Sequence, residues 1–206
     1  ALLEAMVEHQ VTVGMKTYPL QRPCRVMATQ NPSEQDATYP LPEAQLDRFL
    51  MHLNIDYPEA TAEKKILALA RQQARQEFNA DDEDHIVLTR AQIQQAQNEV
   101  LAIHMSTAVE DYLVQLVLAS RNPSAYGDDL SRWVNYGSSP RGTIALDRCA
   151  RAHAWLTKRD YVSPEDVQSV AYNVMRHRIL LSFEAEAEGM SPDDLIHELI
   201  KRVPVS

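Results

Sequence analysis

Three polar side chains occupy positions that local structure alone does not explain: Asn31, Arg48 and Arg141. Asn31 follows the apolar run 26–29 and directly precedes Pro32. Ligands of open α/β sheets bind outside the carboxyl ends of the strands, and an amide placed there can hold a water or a phosphate oxygen because it donates and accepts hydrogen bonds. An asparagine before proline is also a common turn former, and the sequence leaves both interpretations open.

Arg48 directly follows a short predicted helix at 43–47 and precedes a predicted strand at 49–55. A cation at the end of a helix is favoured by the helix dipole, and Arg48 has acidic neighbours for a surface ion pair in Asp47 and Glu43. The alternative is that its guanidinium is presented to an anion on another molecule. Both interpretations stay open at the level of sequence.

Arg141 stands in the first turn of a predicted helix, after the N-cap candidate Ser139 and after Pro140 at the first helical position. A cation there opposes the positive end of the helix dipole by about 0.3–1 kcal/mol at an exposed site. The free amide groups of that turn form an anion site, so an arginine beside them is explained if a phosphate binds there. A solvent-facing arginine that tolerates this small penalty is the alternative.

The elements that must position these residues divide into two parts. The first 58 residues carry the strand patterns, and they begin with an amphipathic helix. Alternation at 10–13, a glycine-containing turn and a return at 17–20 predict a β-hairpin. Apolar or alternating runs at 25–29 and 49–55 predict two core strands.

After Pro58 the pattern becomes helical. Apolar residues at helical spacing and capping residues such as Thr61, Thr89, Ser163 and Ser191 predict six helices. Residues 179–185 are predicted to be extended. The predicted fold class is therefore mainly α with a small α/β part, in which 1–58 form the α/β part and 59–206 an all-helical domain.

Composition excludes several classes of function. The 206 residues carry a formal net charge of −9, which argues against nucleic acid as a partner through non-specific phosphate contacts. No apolar run approaches the roughly 20 residues of a membrane span. Neither His-Glu-x-x-His nor Cys-x-x-Cys occurs, so no metal site is predicted. The segment 137–143 has glycines at phosphate-loop spacing but lacks the following Lys-Ser/Thr, and we reject it as such a loop.

Longer strings surround the three candidate residues and follow one another in order along the chain. They are Leu-Leu-Glu-Ala-Met at 2–6, the hairpin at 10–20, Ala-Thr-Gln-Asn-Pro at 28–32, Tyr-Pro-Leu-Pro-Glu-Ala-Gln-Leu-Asp-Arg-Phe at 39–49, Gly-Ser-Ser-Pro-Arg at 137–141 and Ser-Phe-Glu-Ala-Glu-Ala-Glu-Gly at 182–189. Together they resemble the MoxR family of AAA+ ATPases over nearly the whole chain. The resemblance implies the C-terminal part of an AAA+ α/β core followed by a helical lid.

The resemblance also implies roles for the three residues. Asn31 resembles the sensor 1 residue, which orients the water that attacks the γ-phosphate. Arg48 resembles the arginine finger, which reaches the nucleotide of a neighbouring subunit, and Arg141 resembles the sensor 2 residue of the lid. The hairpin resembles the pre-sensor-1 hairpin of this AAA+ branch, and a finger acting between subunits implies a homo-oligomer, in this family usually a ring of six.

Two departures from the family pattern accompany this resemblance. The phosphate loop and the Walker B acidic pair are expected upstream of Ala1, so ATP and Mg²⁺ are expected as cofactors of a full-length parent and not as ligands of this chain alone. The 206-residue chain by itself is accordingly expected to be inactive. Gly142 follows Arg141 where alanine or another helix former is expected, which at this stage is a minor difference.

The resemblance therefore implies an ATPase whose parent protein remodels or matures client complexes, among them proteins with von Willebrand factor A domains. Cys24 and Cys149 lie far apart in the sequence and are predicted to be reduced thiols of a cytoplasmic protein. An alternative from another class is a non-catalytic helical module for protein interaction. A DNA-unwinding relative of the same branch is a third hypothesis, which the net charge of −9 weakens.

Overall fold

The structure is a computed structural model that describes residues 2–21, 24–30, 41–75 and 88–205. The chain forms two compact units, one of Ala1–His52 with Gln95–Ser206 and one of Leu53–Gln94. The candidate residues that the structure describes lie in the first unit. The predicted division into 1–58 and 59–206 stays a prediction.

Helices dominate the described residues. The α-helices are α1 Leu2–Val7, α2 Glu43–Leu46, α3 Ala60–Ala74, α4 Arg90–Ala102, α5 Thr107–Arg121, α6 Asp128–Trp133, α7 Pro140–Leu156, α8 Pro164–Met175, α9 Phe183–Ala187 and α10 Pro192–Arg202. A 3-10 helix at Pro123–Tyr126 precedes α6. The strands are β1 Gln10–Val13, β2 Lys16–Pro19, β3 Val134–Tyr136 and β4 Leu180–Leu181, and they pair antiparallel as β1 with β2 and β3 with β4. No helix of the described ranges has both the length and the apolar character needed to cross a membrane.

The predicted hairpin is confirmed. β1 and β2 pair in a register that runs from Gln10 opposite Pro19 to Val13 opposite Lys16. Gly14 in the connecting turn has a φ of 63°, a left-handed conformation that glycine adopts without the Cβ penalty of other residues. The short hairpin is therefore encoded locally, by alternation and by a glycine at the turn.

The two predicted core strands are wrong. Residues 24–30 and 49–59 contain no strand in the structure. A strand needs a neighbour to satisfy its N–H and C=O groups, and the described residues provide no strand beside either segment. The backbone at 49–52 is bonded to α8 instead: the N–H of His52 donates to the carbonyl of Asn173 at 2.8 Å.

The six predicted helices are confirmed as α3, α4, α5, α7, α8 and α10, and most begin at a side-chain cap. Ser163 and Ser191 each form a capping box with the aspartate three residues later. The cap of α3 is Glu59 and not Thr61, and Glu59 makes no side-chain cap bond.

Residues 179–185 are extended only over β4. Ser182 ends the extension because its hydroxyl accepts the N–H of Ala185 at 3.2 Å and begins α9. The prediction also missed α6 and β3, which are short elements.

The core of the first unit lies between the helices α5, α7, α8 and α10. Its largest fully buried side chains include Tyr112, Leu113, Leu116, Leu146, Val167, Val174, Leu195 and Leu199. Helices α7 and α8 pack along each other so that Gly142, in the first turn of α7, lies beside Arg178, just past α8: a Cβ on Gly142 would be 3.4 Å from Cδ of Arg178. The core thereby brings the N-terminus of α7 next to the C-terminus of α8.

A buried carboxylate joins the opposite ends of α7 and α8. Asp166 is 1% exposed and accepts hydrogen bonds from Arg159 at 2.7 Å, from His153 at 2.7 Å and from the N–H of Ser163 at 2.8 Å. Burial raises the pKa of Asp166, but the hydrogen bonds from Arg159 and Ser163 outweigh burial and place this pKa below its ordinary value. The α7–α8 pair is therefore fixed at this end by charge as well as by packing.

Candidate functional site

Arg48 follows directly on the end of α2. Asp47 is the C-cap of that helix, and the N–H of Arg48 donates to the carbonyl of Gln45 at 3.2 Å. The Arg48 side chain is half-buried, and within the described part of the chain its guanidinium makes no hydrogen bond or ion pair. The surface pairing with Asp47 or Glu43 that the sequence allowed is therefore absent among these residues.

Arg141 stands at the second position of α7, in the first turn as predicted. Ser139 is the N-cap, its hydroxyl oxygen accepts the N–H of Arg141 at 3.1 Å, and Pro140 takes the first helical position. The Arg141 side chain is 46% exposed. The predicted exposed arginine beside a serine cap is thus confirmed, while its role stays a prediction.

Asp47, the residue directly before Arg48, contacts the first turn of α7, which carries Arg141. Its carboxylate oxygens each lie 2.9 Å from the hydroxyl of Ser139, which donates to them, and one of them is 4.0 Å from the Arg141 guanidinium. Arg48 is the next residue in the chain. A carboxylate near the N-terminus of α7 also suits the helix dipole, so Asp47 supplies an anion there that the sequence analysis did not consider.

Arg178 binds Asp47 and the backbone that follows it. Its side chain is 2% exposed, and its Nε donates to Asp47 at 3.2 Å. Its other nitrogens donate to the backbone carbonyls of Asp47 at 3.1 Å, Leu50 at 3.3 Å, Phe49 and Val174. Burial lowers the pKa of Arg178, and the Asp47 carboxylate opposes that effect.

His177 adds a second anchor to the same segment. Its Nε2 lies 3.1 Å from the carbonyl oxygen of Phe49, and since a carbonyl only accepts, the hydrogen must be on Nε2. Burial and the neighbouring Arg178 lower the pKa of His177 to about 4. The imidazole is therefore neutral at pH 7, and the His52 ring packs edge-on against it with ring centres 5.9 Å apart.

The structure leaves no room for a Cβ atom at Gly142. A Cβ at this position would lie 2.1 Å from the hydroxyl oxygen of Ser138, which is itself buried. Ser138 is fixed in turn, since its N–H donates to Ser120 at 3.0 Å and its carbonyl accepts from Arg121 at 2.6 Å. The departure from alanine at 142 is therefore not minor: a Cβ there would force the buried Ser138 hydroxyl, in the turn before α7, to move.

The structure thus places Arg141 close to Asp47, the residue directly before Arg48, whereas Asn31 lies outside the described residues. Asp47, Arg178 and His177 were missed as site residues. The sequence carries one indication of them, the cluster Arg176-His177-Arg178 directly after α8, but nothing in it connects that cluster to Asp47.

Two family models match separate parts of the chain. Residues 1–51 match the ATPase family associated with various cellular activities (AAA), and residues 131–199 match the AAA lid domain. The chain is 40% identical to Chaperone MoxR1 of Mycobacterium tuberculosis, covering 98% of this chain and 52% of that protein. It is 35% identical to Protein MoxR of Paracoccus denitrificans, covering 99% and 62%.

A solved structure agrees with the fold. The crystal structure of a candidate ATPase from Cytophaga hutchinsonii superposes with a TM-score of 0.89 at 41% identity, covering 100% of this chain and 61% of that one. An AAA core segment followed by an AAA lid defines the class as AAA+ ATPases. Within that class, the chain belongs to the MoxR family. It spans between about half and three fifths of the length of the curated relatives named above.

Proposed function

We propose that the complete protein hydrolyses ATP and uses the cycle to remodel or mature complexes of client proteins. The observation that carries this proposal is the contrast at Arg48: its backbone is anchored, while its guanidinium has no partner in the described residues. An arginine whose backbone is held in place, and whose guanidinium has no partner among the described residues, is well placed to bind an anion of another molecule. The relatives named MoxR and Chaperone MoxR1 support the same assignment.

In this proposal each residue stabilises one part of phosphoryl transfer. Arg48 neutralises charge that develops on the γ-phosphate of a neighbouring subunit's ATP, and Arg141 contacts a phosphate from the lid. Asn31 orients the attacking water. Catalysis of this reaction rests mainly on positioning and on electrostatic stabilisation of the transition state, which is what a pre-positioned guanidinium supplies.

Mg²⁺ supplies charge neutralisation on the phosphates when it is bound, but no residue of this chain is assigned as its ligand. The part of the chain that the structure describes contains no group of three or more His, Cys, Asp or Glu side chains placed to bind a metal ion. In this proposal the metal ligands and the phosphate loop lie in a part of the complete protein upstream of Ala1. No step proposed for Arg48, Arg141 or Asn31 runs through the metal.

The proposal also includes an oligomeric state and a cellular location. A finger that serves a neighbouring site requires a homo-oligomer, and we propose a ring of six subunits in the cytoplasm. The proposed clients include proteins with von Willebrand factor A domains. Within each subunit we propose that 1–58 complete the α/β core and that 59–206 form the lid domain.

The test compares phosphate release from ATP by the complete protein and by the 206-residue chain alone. The complete protein should turn over ATP, and the isolated chain should not. An Arg48→Ala protein purified in the same way controls for contaminating ATPases. If the complete protein binds clients but releases no phosphate, the alternative of a non-catalytic helical interaction module takes the place of this proposal.

A further inference from the structure

Arg178 is a buried cation just past α8, in contact with the segment that carries Arg48. At 2% exposure its side chain donates to the Asp47 carboxylate and to the backbone carbonyls of Asp47, Phe49 and Leu50. Removing a guanidinium from water is unfavourable, and an apolar side chain of similar size would fill the same space without that penalty. Packing alone therefore does not explain an arginine here.

The acceptors of Arg178 lie on both sides of Arg48 in the chain. Asp47 precedes it, and Phe49 and Leu50 follow it. The segment after Arg48 contains no strand, and its backbone is held by side-chain donors from the lid and by the N–H of His52, which donates to the carbonyl of Asn173 at 2.8 Å. His177 adds a further donor to the carbonyl of Phe49 at 3.1 Å.

The same guanidinium is connected to Arg141. One carboxylate oxygen of Asp47 accepts from Nε of Arg178 at 3.2 Å and from the hydroxyl of Ser139 at 2.9 Å. The oxygen of that hydroxyl accepts the N–H of Arg141. A chain of hydrogen bonds therefore runs from Arg178 to the first turn of α7.

We propose that Arg178 is a positioning residue for ATP hydrolysis: it attaches the Arg48 segment to the lid, so that Arg48 and Arg141 keep one relative placement when the lid moves. This inference rests on the function proposed above for the two arginines. Arg178 contacts no nucleotide in this scheme and acts through Arg48. Misplacing a catalytic group by about 1 Å reduces rates by roughly 100-fold, so the accuracy of such an anchor matters.

Lysine is the informative substitution at 178. It keeps a positive charge on a long side chain, but it carries three donors on one atom in place of the five that arginine spreads over a planar fork. Arg178→Lys therefore cannot bond the Asp47 carboxylate and three separate backbone carbonyls of 47–50 together. In the complete protein we expect kcat to fall by about 10- to 100-fold with KM for ATP within about twofold of wild type.

The matched control is Arg151→Lys. Arg151 is also a lid arginine, 21% exposed, and it donates to Asp147 and to the carbonyl of Ile103, but it makes no contact with 47–50. It should lose comparable hydrogen bonds with little change in kcat. If both variants lose activity equally, Arg178 supports only the general stability of the lid and the inference is overturned.

Mixing variant subunits distinguishes a misplaced Arg48 from a general loss of function of the subunit. A subunit with Arg178→Lys should be a poor donor of Arg48 but keep its own Asn31, whereas an Asn31→Ala subunit should donate Arg48 normally. Mixed rings of the two should recover part of the turnover, to the same extent as mixtures of Arg48→Ala with Asn31→Ala. An absence of recovery, where the Arg48→Ala mixture recovers, overturns the inference.

Amide hydrogen exchange tests the anchor without reference to activity. In the complete protein, Arg178→Lys should speed exchange at residues 48–52 by about tenfold or more and leave α10 unchanged, because buried structure that is not opened keeps its protection. Unchanged exchange at 48–52 overturns the inference. If the wild-type protein releases no phosphate but this exchange increases, the proposed function fails while the anchor itself is supported.

A milder variant covers the case in which Arg178→Lys does not fold. His177→Ala removes one donor to the Phe49 carbonyl and leaves the buried cation in place. It should lower kcat by about three- to tenfold, and His177→Gln, which restores a donor near Nε2, should recover most of the loss. If His177→Ala leaves kcat unchanged, the position of the backbone at 49–50 does not control the rate, and the inference is overturned.

Discussion

The hydroxyl of Ser139 joins the carboxylate of Asp47, 2.9 Å away, to the first turn of α7, because its oxygen also accepts the N–H of Arg141 at 3.1 Å. Asp47 is the residue directly before Arg48. One serine thus caps a helix and ties that helix to the end of α2. The first turn of α7, which carries Arg141, is therefore hydrogen-bonded to the residue that directly precedes Arg48.

Arg48→Ala should abolish most ATPase activity of the complete protein while leaving ATP binding nearly unchanged. A finger acts on charge that develops in the transition state, and its loss in related phosphoryl-transfer systems is worth roughly 10³–10⁵ in rate. Phosphate release and equilibrium nucleotide binding measure the two effects separately. Arg132→Ala is the control, since that side chain is 61% exposed and, among the described residues, pairs only with Glu184.

The same variant tests whether Arg48 acts between subunits. Arg48→Ala subunits keep their own nucleotide site, and Asn31→Ala subunits keep the finger. Mixing them should restore part of the turnover, because some interfaces then combine an intact site with an intact finger. Mixtures that stay inactive would indicate that Arg48 acts within its own chain.

Arg141→Ala should lower turnover by roughly 10- to 100-fold, since charge-assisted hydrogen bonds to phosphate are lost. It should leave the melting temperature unchanged or slightly higher, because a cation at the start of α7 opposes the helix dipole. Arg148→Ala, exposed on the same helix, is the matched control. A lowered melting temperature with unchanged turnover would instead make Arg141 a structural partner of Asp47.

Gly142→Ala should destabilise the protein although alanine is the better helix former. The propensity gain is at most about 1 kcal/mol, whereas overpacking against the Ser138 hydroxyl costs about 1–3 kcal/mol. Chemical denaturation followed by circular dichroism measures the difference. Ser138→Ala removes the oxygen that lies 2.1 Å from the new Cβ, so the double variant should regain most of the loss. If the two substitutions are simply additive, this steric explanation is wrong.

His177 should make stability depend on pH between its folded pKa of about 4 and the ordinary value of 6.5. In this window the unfolded chain binds a proton that the folded protein does not, so the free energy of unfolding falls as the pH falls from 6.5 to 4. The effect has an upper limit of about 3 kcal/mol. Unfolding measured at a series of pH values should show this dependence reduced in His177→Gln, and equal slopes in both proteins would contradict it.

The sequence by itself determined most of the lid. Helices α5, α7, α8 and α10 begin at serine caps, and α7, α8 and α10 also carry proline in their first turn. Such caps act between residues two or three positions apart, and apolar spacing along one helix marks its buried face, so both are visible without a structure. Arg141 was found for the same reason, since its conflict with the helix dipole is a local one.

Only the tertiary structure decided how 47–52 is placed and what Arg178 does. The sequence pattern of 49–55 favours a strand, but a strand forms only where a neighbour accepts its hydrogen bonds, and here the donors come from Arg178 and His177. Asp47 and Arg178 are 131 residues apart in the chain, so no local pattern relates them. Gly142 likewise appeared replaceable until Ser138 was placed against it. Local hydrogen bonds and spacing fix elements, whereas contacts made by buried charged groups depend on which helix ends the packed core brings together.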